Sequence, residues 1–336
     1  MQKRFFALLM ILLVTLTACG EKSASRTVYA MDTVMNLTVH GGDEALLERC
    51  EQALRDMEQT LSRRIDTSAV AALNRDGTVT DTTLAALLAE ALNVAAATDD
   101  AFYPALAQVI DLWGFGTETQ RVPSQDELAE ALNAVNTTAF SIEEDTVTLE
   151  GEADLDLGGI AKGYAGELLC ALARDAGVES ALFDLGGDVA VLGAKPDGSD
   201  WRIAVKDPAN GAQYLGVLSL SDAFVTTSGV YERYFEENGV HYHHILDPDT
   251  GMSAESGLVS MTMVCENGVW ADALSTACFV MGVESSLALR AEYIERGAEL
   301  FEMIFVTDDG RVLYTEGLAD CFTPSEEGTY TYEVVS

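Results

Sequence analysis

Apolar residues recur at helical spacing between residues 43 and 135, then from residue 147 onward mostly alternate as in strands. Val28 to Val39 alternates and predicts a first strand, interrupted at Met31-Asp32-Thr33. Asp43 to Leu61 predicts an amphipathic helix. Ser68 to Leu73 predicts a short helical turn, closed by Asn74-Arg75-Asp76-Gly77. Thr82 to Thr98 predicts an Ala- and Leu-rich buried helix, and Gln125 to Val135 another helix. Downstream, strands are predicted at Val147–Leu149, Ala153–Leu157, Ser180–Val191, Trp201–Val205, Gly216–Leu220, Ala223–Thr226 and Val259–Val264. Turn signals such as Asp207-Pro208, Asn238-Gly239 and Asp247-Pro248 separate them. Helices are expected near 161–175, 268–282 and 285–296, and a strand over 300–306. Strands in runs with helices interspersed predict an α+β fold, and no linker divides the body sharply.

The N-terminus reads differently. Lys3 and Arg4 precede an apolar run from Phe5 to Leu16, too short to span a bilayer comfortably. Leu16-Thr17-Ala18-Cys19 matches the lipobox of bacterial lipoproteins. The expected organisation is a signal peptide over 1–18, lipidation at Cys19, a polar tether over 19–27 and one domain over 28–336. That places the domain outside the cytoplasmic membrane, held to it by a lipid anchor. The formal net charge of −36 argues against nucleic acid and anionic lipid surfaces as partners. A phosphorylated ligand would need local help here from backbone amides, a few cations or a divalent metal. Beyond Cys19 the cysteines number five, with no Cys-x-x-Cys, so neither a disulfide framework nor a zinc site is expected.

Several stretches could carry chemistry. Asp154-Leu155-Asp156-Leu157-Gly158-Gly159-Ile160-Ala161-Lys162-Gly163-Tyr164 runs from a predicted strand through paired glycines into a helix. Such a turn lets a backbone approach a bulky ligand, and it also serves as a plain connection. Asp272 lies in an apolar helix and shares a face with Ser275 and Thr276. A carboxylate buried there needs a partner, and Asp and Thr oxygens suit Mg²⁺. The alternative is a local cap or pair on a solvated face. Gly186-Gly187-Asp188 reads as a hairpin turn or a ligand loop. Ser228-Gly229 puts a hydroxyl beside bare backbone, good for phosphate oxygens or for a turn alone. His241, His243 and His244 cluster, but a third zinc ligand is not evident; His244 is the candidate for chemistry, beside the Asp247-Pro248 turn.

In order, Asp-Leu-Gly-Gly-Ile-Ala-Lys-Gly-Tyr, Gly-Gly-Asp, Thr-Ser-Gly-x-Tyr-Glu-Arg, His-His-Ile-Leu-Asp-Pro-x-Thr-Gly and Ala-Asp-Ala-Leu-Ser-Thr resemble the ApbE-type FAD:protein FMN transferases. The resemblance runs from about Val28 to the end of the chain. It implies an ApbE-like, T-fold-related architecture of mixed, largely antiparallel sheets with packed helices. It implies Mg²⁺-dependent transfer of FMN from FAD onto a Thr or Ser hydroxyl of an acceptor protein, with release of AMP. By similarity, Asp272, Thr276 and the main-chain carbonyl of Gly159 would hold the metal. Ser275 stands where some members have a second Asp. Met31, Arg64, Asp100, Ala101, Phe102, Asp156, Lys162 and Ile245 would line the FAD site, with Ser228 beside them. The family's usual Met-Gly-Thr is Met31-Asp32-Thr33 here. Asp272 and His244 are the candidate bases. Acceptors carry a motif like Asp-Gly-x-[Ser/Thr]-Gly-[Ala/Ser]-Thr, which this chain lacks, and in the family they are extracytoplasmic subunits of ion-pumping flavin oxidoreductases and similar proteins. Two other functions fit the same residues: hydrolysis of FAD to FMN and AMP, and non-catalytic FAD binding.

Overall fold

The computed structural model describes residues 22–298 and 301–336. The chain opens with β1 (Ser23–Ala30), β2 (Thr33–His40), α1 (Glu44–Leu61), α2 (Ala69–Asp76) and β3 (Thr78–Thr80). It continues with α3 (Thr82–Ala97), α4 (Ala107–Trp113), α5 (Gln125–Thr137), β4 (Ala139–Glu143) and β5 (Thr146–Glu150). Then come α6 (Ala161–Asp175), β6 (Ser180–Asp184), β7 (Val189–Leu192), β8 (Trp201–Lys206), β9 (Tyr214–Leu220) and β10 (Ala223–Gly229). The hairpin β11 (Tyr234–Glu237) and β12 (Val240–His243) leads to β13 (Leu258–Cys265) and α7 (Gly268–Arg296). Last are β14 (Phe301–Thr307), β15 (Arg311–Thr315), β16 (Phe322–Pro324) and β17 (Thr331–Val335).

Local chemistry sets the helix starts. Asp43, Ser68, Asp81 and Asn267 each accept from the backbone N–H three residues on, and Ser124 with Glu127 forms a full capping box. Gly77 ends α2 in the left-handed conformation.

A nine-stranded sheet, in the order β1-β2-β6-β7-β10-β13-β14-β15-β17, organises the molecule. It is antiparallel except for the final β15–β17 pair. One face buries Leu37, Phe183, Met261 and Phe305 against α1, α3, α6 and α7. The other buries Val191, Val225, Ile304 and Val312 against a small sheet, β16-β9-β8, which contributes Trp201, Ile203 and Leu218. A third cluster gathers α4 and α5 around Trp113, whose indole N–H donates to the Gly251 carbonyl at 2.7 Å. This is the α+β, largely antiparallel architecture expected from the sequence.

Three expectations are corrected. Ala153–Leu157 is extended but joins no sheet. The Asn74 amide bonds both the N–H and the carbonyl of Leu155, and Asp156 N–H donates to Pro104 O, so loop groups occupy the positions a neighbouring strand would take. The strand at the N-terminus starts at Ser23, so residues 23–27 of the expected tether are sheet, anchored by Arg26 on Glu44 and Glu51 of α1. The two helices expected at 268–282 and 285–296 form one run, α7, broken at Gly282 with φ 75°. The signal peptide, the lipobox and Cys19 lie outside the described residues.

Candidate active site

Between α1, the start of α6, the β6–β7 turn, β10 and α7 lies a cleft of 1160 Å³. Its floor is built by a close approach of two helices. A Cβ on Gly163 would fall 2.0 Å from the Gly268 carbonyl oxygen, so only glycine lets α6 and α7 meet there. α6 has no side-chain cap of its own. Asp272, on α7, supplies it: its Oδ2 accepts from Gly163 N–H at 3.0 Å. The lone carboxylate in the apolar helix thus has its partners, backbone amide and Lys162, rather than a solvated face.

Lys162 sits between two carboxylates. Its Nζ bonds Asp188 and lies 4.0 Å from Asp272 Oδ1. Burial opposes the Lys162 charge, but Asp188 and Asp272 outweigh it and hold the ammonium protonated. Burial pushes the Asp272 carboxyl upward and Asp188 adds to this, while Lys162 pulls it back. Asp188 also accepts from Thr227 N–H at 3.1 Å, which fixes it. Two buried carboxylates against one ammonium leave an excess negative charge in the cleft floor.

Hydroxyls complete this floor. Ser228 lies 2.8 Å from Ser275 Oγ and 3.3 Å from Thr276 Oγ1. Gly159 abuts them: a Cβ there would be 3.7 Å from Thr276 Oγ1 and 3.1 Å from the Phe102 ring. Asp272, Thr276 and Gly159 therefore come together as expected, and the excess charge suits a divalent cation. Among the described residues no group of three His, Cys, Asp or Glu could hold a metal. The oxygens present fit Mg²⁺, which keeps waters or phosphate oxygens for the rest of its shell.

The other expected residues divide. Met31, Ala101, Phe102, Asp156, Lys162, Ser228, His244 and Ile245 all line the cleft. Met31 and Asp32 both adopt left-handed backbone, φ 52° and 58°, so Asp32 takes the conformation glycine usually supplies. Asp100 lies beside the cleft-lining Ala101 and Phe102 rather than in the lining itself. It stands exposed in a left-handed turn, φ 61°, where its N–H closes α3 onto Ala95 O and directs Ala101 and Phe102 inward. Arg64 lines the cleft but is exposed, 3.4 Å from Asp32. The half-buried arginine is its neighbour. Arg63 donates to Asp156 at 2.5 Å and to both oxygens of Asp111, at 2.9 and 2.7 Å. Burial disfavours its charge, yet the two carboxylates raise its pKa above the ordinary value.

His244 carries a defined tautomer. Its Nδ1 lies 3.3 Å from the Arg233 carbonyl, which can only accept, so Nδ1 holds the hydrogen and Nε2 is left as the acceptor. Burial and nearby cations lower its pKa to about 4. His241 and His243 make no zinc pair: His241 is exposed, and His243 is buried with Nε2 on Ala254 O.

Sequence reasoning missed Arg63 and Asp188 as site residues. The Gly-Gly-Asp turn was the signal for Asp188. The Arg63-Arg64 pair gave no means of telling which guanidinium turns inward.

Comparisons with known proteins fit this geometry. The ApbE family pattern matches residues 31–300. The FAD:protein FMN transferase of Treponema pallidum is 34% identical, with 93% of each chain covered. That of Klebsiella pneumoniae is 30% identical over 93% of this chain and 96% of its own. Among solved structures, an ApbE protein from Thermotoga maritima superposes with a TM-score of 0.76 at 31% identity, covering 91% of this chain and 97% of its own. The flavin transferase ApbE from Vibrio cholerae gives 0.78 at 25% identity, covering 90% and 99%. With this fold, this cleft and these relatives, the chain belongs to the ApbE family.

Proposed function

We propose that this protein transfers FMN from FAD to a Thr or Ser hydroxyl of an acceptor protein, releasing AMP, with Mg²⁺ at the cleft floor. The carrying observation is the buried Asp188–Lys162–Asp272 group, flanked by Thr276 and Gly159, in a cleft large enough for a dinucleotide. Mg²⁺ bound there would neutralise the pyrophosphate and stabilise charge developing on phosphorus. Asp272 and Thr276 would hold it, with the Gly159 carbonyl. Lys162 keeps Asp272 and Asp188 fixed and adds positive charge on the phosphate side. Arg63 locks Asp156, and with it the loop leading to Gly159. His244 offers Nε2 to the acceptor hydroxyl, taking its proton as oxygen attacks phosphorus.

The test is incubation with FAD and Mg²⁺, with and without an acceptor domain bearing the flavinylation motif. AMP release that depends on acceptor is expected, with FMN attached to the acceptor. Asp272→Ala should abolish it, and so should EDTA. AMP formed equally well without acceptor would mean hydrolysis, and no AMP would mean passive binding. Activity surviving in EDTA would overturn the metal assignment.

Placement outside the cytoplasmic membrane on a lipid at Cys19 is part of the same proposal, supported by the Leu16-Thr17-Ala18-Cys19 match. Cys19→Ala should move the protein from the membrane fraction to the soluble fraction, or leave it unprocessed. Unchanged fractionation would refute the anchor.

A further inference from the structure

One wall of the cleft is a strand edge. Arg202, Ile203, Ala204, Val205 and Lys206 of β8 all line it, five consecutive residues. Neighbours in a strand point to opposite faces, so a face can present only every second residue. An unbroken run reaches the cleft only if the edge of the strand borders it. The burial of β8 alternates as this requires: Trp201, Ile203 and Val205 enter the second core, while Arg202, Ala204 and Lys206 turn outward. Among the described residues β8 pairs with β9 alone, so its other side carries unpaired N–H and C=O groups. Open edges are templates for a further strand.

This edge has a charge and a direction. The Arg202 side chain makes no hydrogen bond or ion pair among the described residues, although the full sequence carries 55 acidic against 19 basic residues. Lys206, on the same face, lies 3.4 Å from Glu232 and 4.6 Å from the Tyr231 ring centroid. A bulge at Val205/Lys206 bends the strand at that end. Tyr231 and Glu232, which flank Lys206, line the same cleft as Asp188, Lys162 and Asp272.

We propose that the open edge of β8 is the docking strand for the acceptor. An extended segment of the target protein pairs with it, sets an acidic side chain against Arg202, and delivers its Thr or Ser hydroxyl past Lys206 to the cleft floor. This rests on the transferase reading for the identity of the partner. Its own basis is the unpaired edge and the unpaired arginine.

Two measurements on the full chain test it. First, amide hydrogen exchange with and without an excess of an acceptor domain carrying the motif should show residues 202–206 protected about tenfold or more by acceptor. Second, with FAD held saturating for each variant, Arg202→Glu should raise KM for the acceptor by roughly tenfold or more, as a like-charge contact does, and Arg202→Lys should restore most of it. Protection confined to other surfaces, or an unchanged KM in Arg202→Glu, overturns the proposal. If the unaltered chain fails to flavinylate the acceptor at all, the transferase reading falls, and the exchange measurement still decides whether β8 docks it.

Discussion

At the scale of single residues, the proposed mechanism separates holding from proton transfer. Asp272 is committed to a backbone amide and a lysine, whereas His244 has a free acceptor nitrogen. The depressed pKa of His244 has a direction that can be measured. An ordinary histidine loses its base form as pH falls through ~6.5. With a pKa of about 4, His244 keeps it well below that. Protonation of His244 should therefore not limit single-turnover flavinylation at saturating FAD until pH nears about 4, and a fall already near pH 6 would report the Asp272 carboxyl, which burial raises to about 6. His244→Ala should lose about 10²–10⁴-fold with FAD still bound. Rescue of that variant by excess FAD would instead make His244 a packing residue. Legibility at this scale followed isolation. Asp272 stood out because a lone carboxylate in an apolar helix demands an explanation. Arg63 did not, because only the end of α1, at extended Ser62, decides which of two adjacent arginines reaches Asp156.

At the scale of elements, most helices and strands were legible because each carried its own period, and α1, α2, α3, α5 and α7 their own caps. The exceptions share a cause: the deciding partner is distant in sequence. Alternation over Ala153–Leu157 promised a strand, but Asn74 claims Leu155 on both backbone groups. Nor could spacing reveal that α6 is capped from α7 across a contact between two glycines. That contact makes a demanding test. Gly163→Ala places a methyl against the Gly268 carbonyl and forces the helices apart. A stability loss of about 1–3 kcal/mol is expected in urea unfolding, because the core there has no slack. Flavinylation should fall further than the folded fraction does, since Gly163 N–H leaves Asp272. Full activity in a folded Gly163→Ala protein would show that this cap does not position the carboxylate.

At the scale of the whole molecule, the fold class was legible but not the strand order, because pairing such as β2 with β6 depends on where helices pack. The charge acts at this scale too. A formal balance of −36 spread over one body repels itself, and dissolved salt screens that repulsion. The melting temperature should therefore rise as NaCl increases from about 10 to about 150 mM. A flat or falling response in calorimetry would show that local pairs such as those of Arg26 already neutralise the repulsion.

The early start of β1 bears on where the enzyme can work. With a lipid on Cys19, only Gly20, Glu21 and Lys22 separate the anchor from the sheet at Ser23, four Cα-to-Cα steps in all. Even pulled straight, that stretch spans only ~14 Å. The body would then rest against the bilayer surface with little freedom to roam, held by a short leash. Acceptors would have to bring their hydroxyl down to the membrane plane, which favours targets that are themselves embedded in or seated on the same membrane over those drifting free in solution.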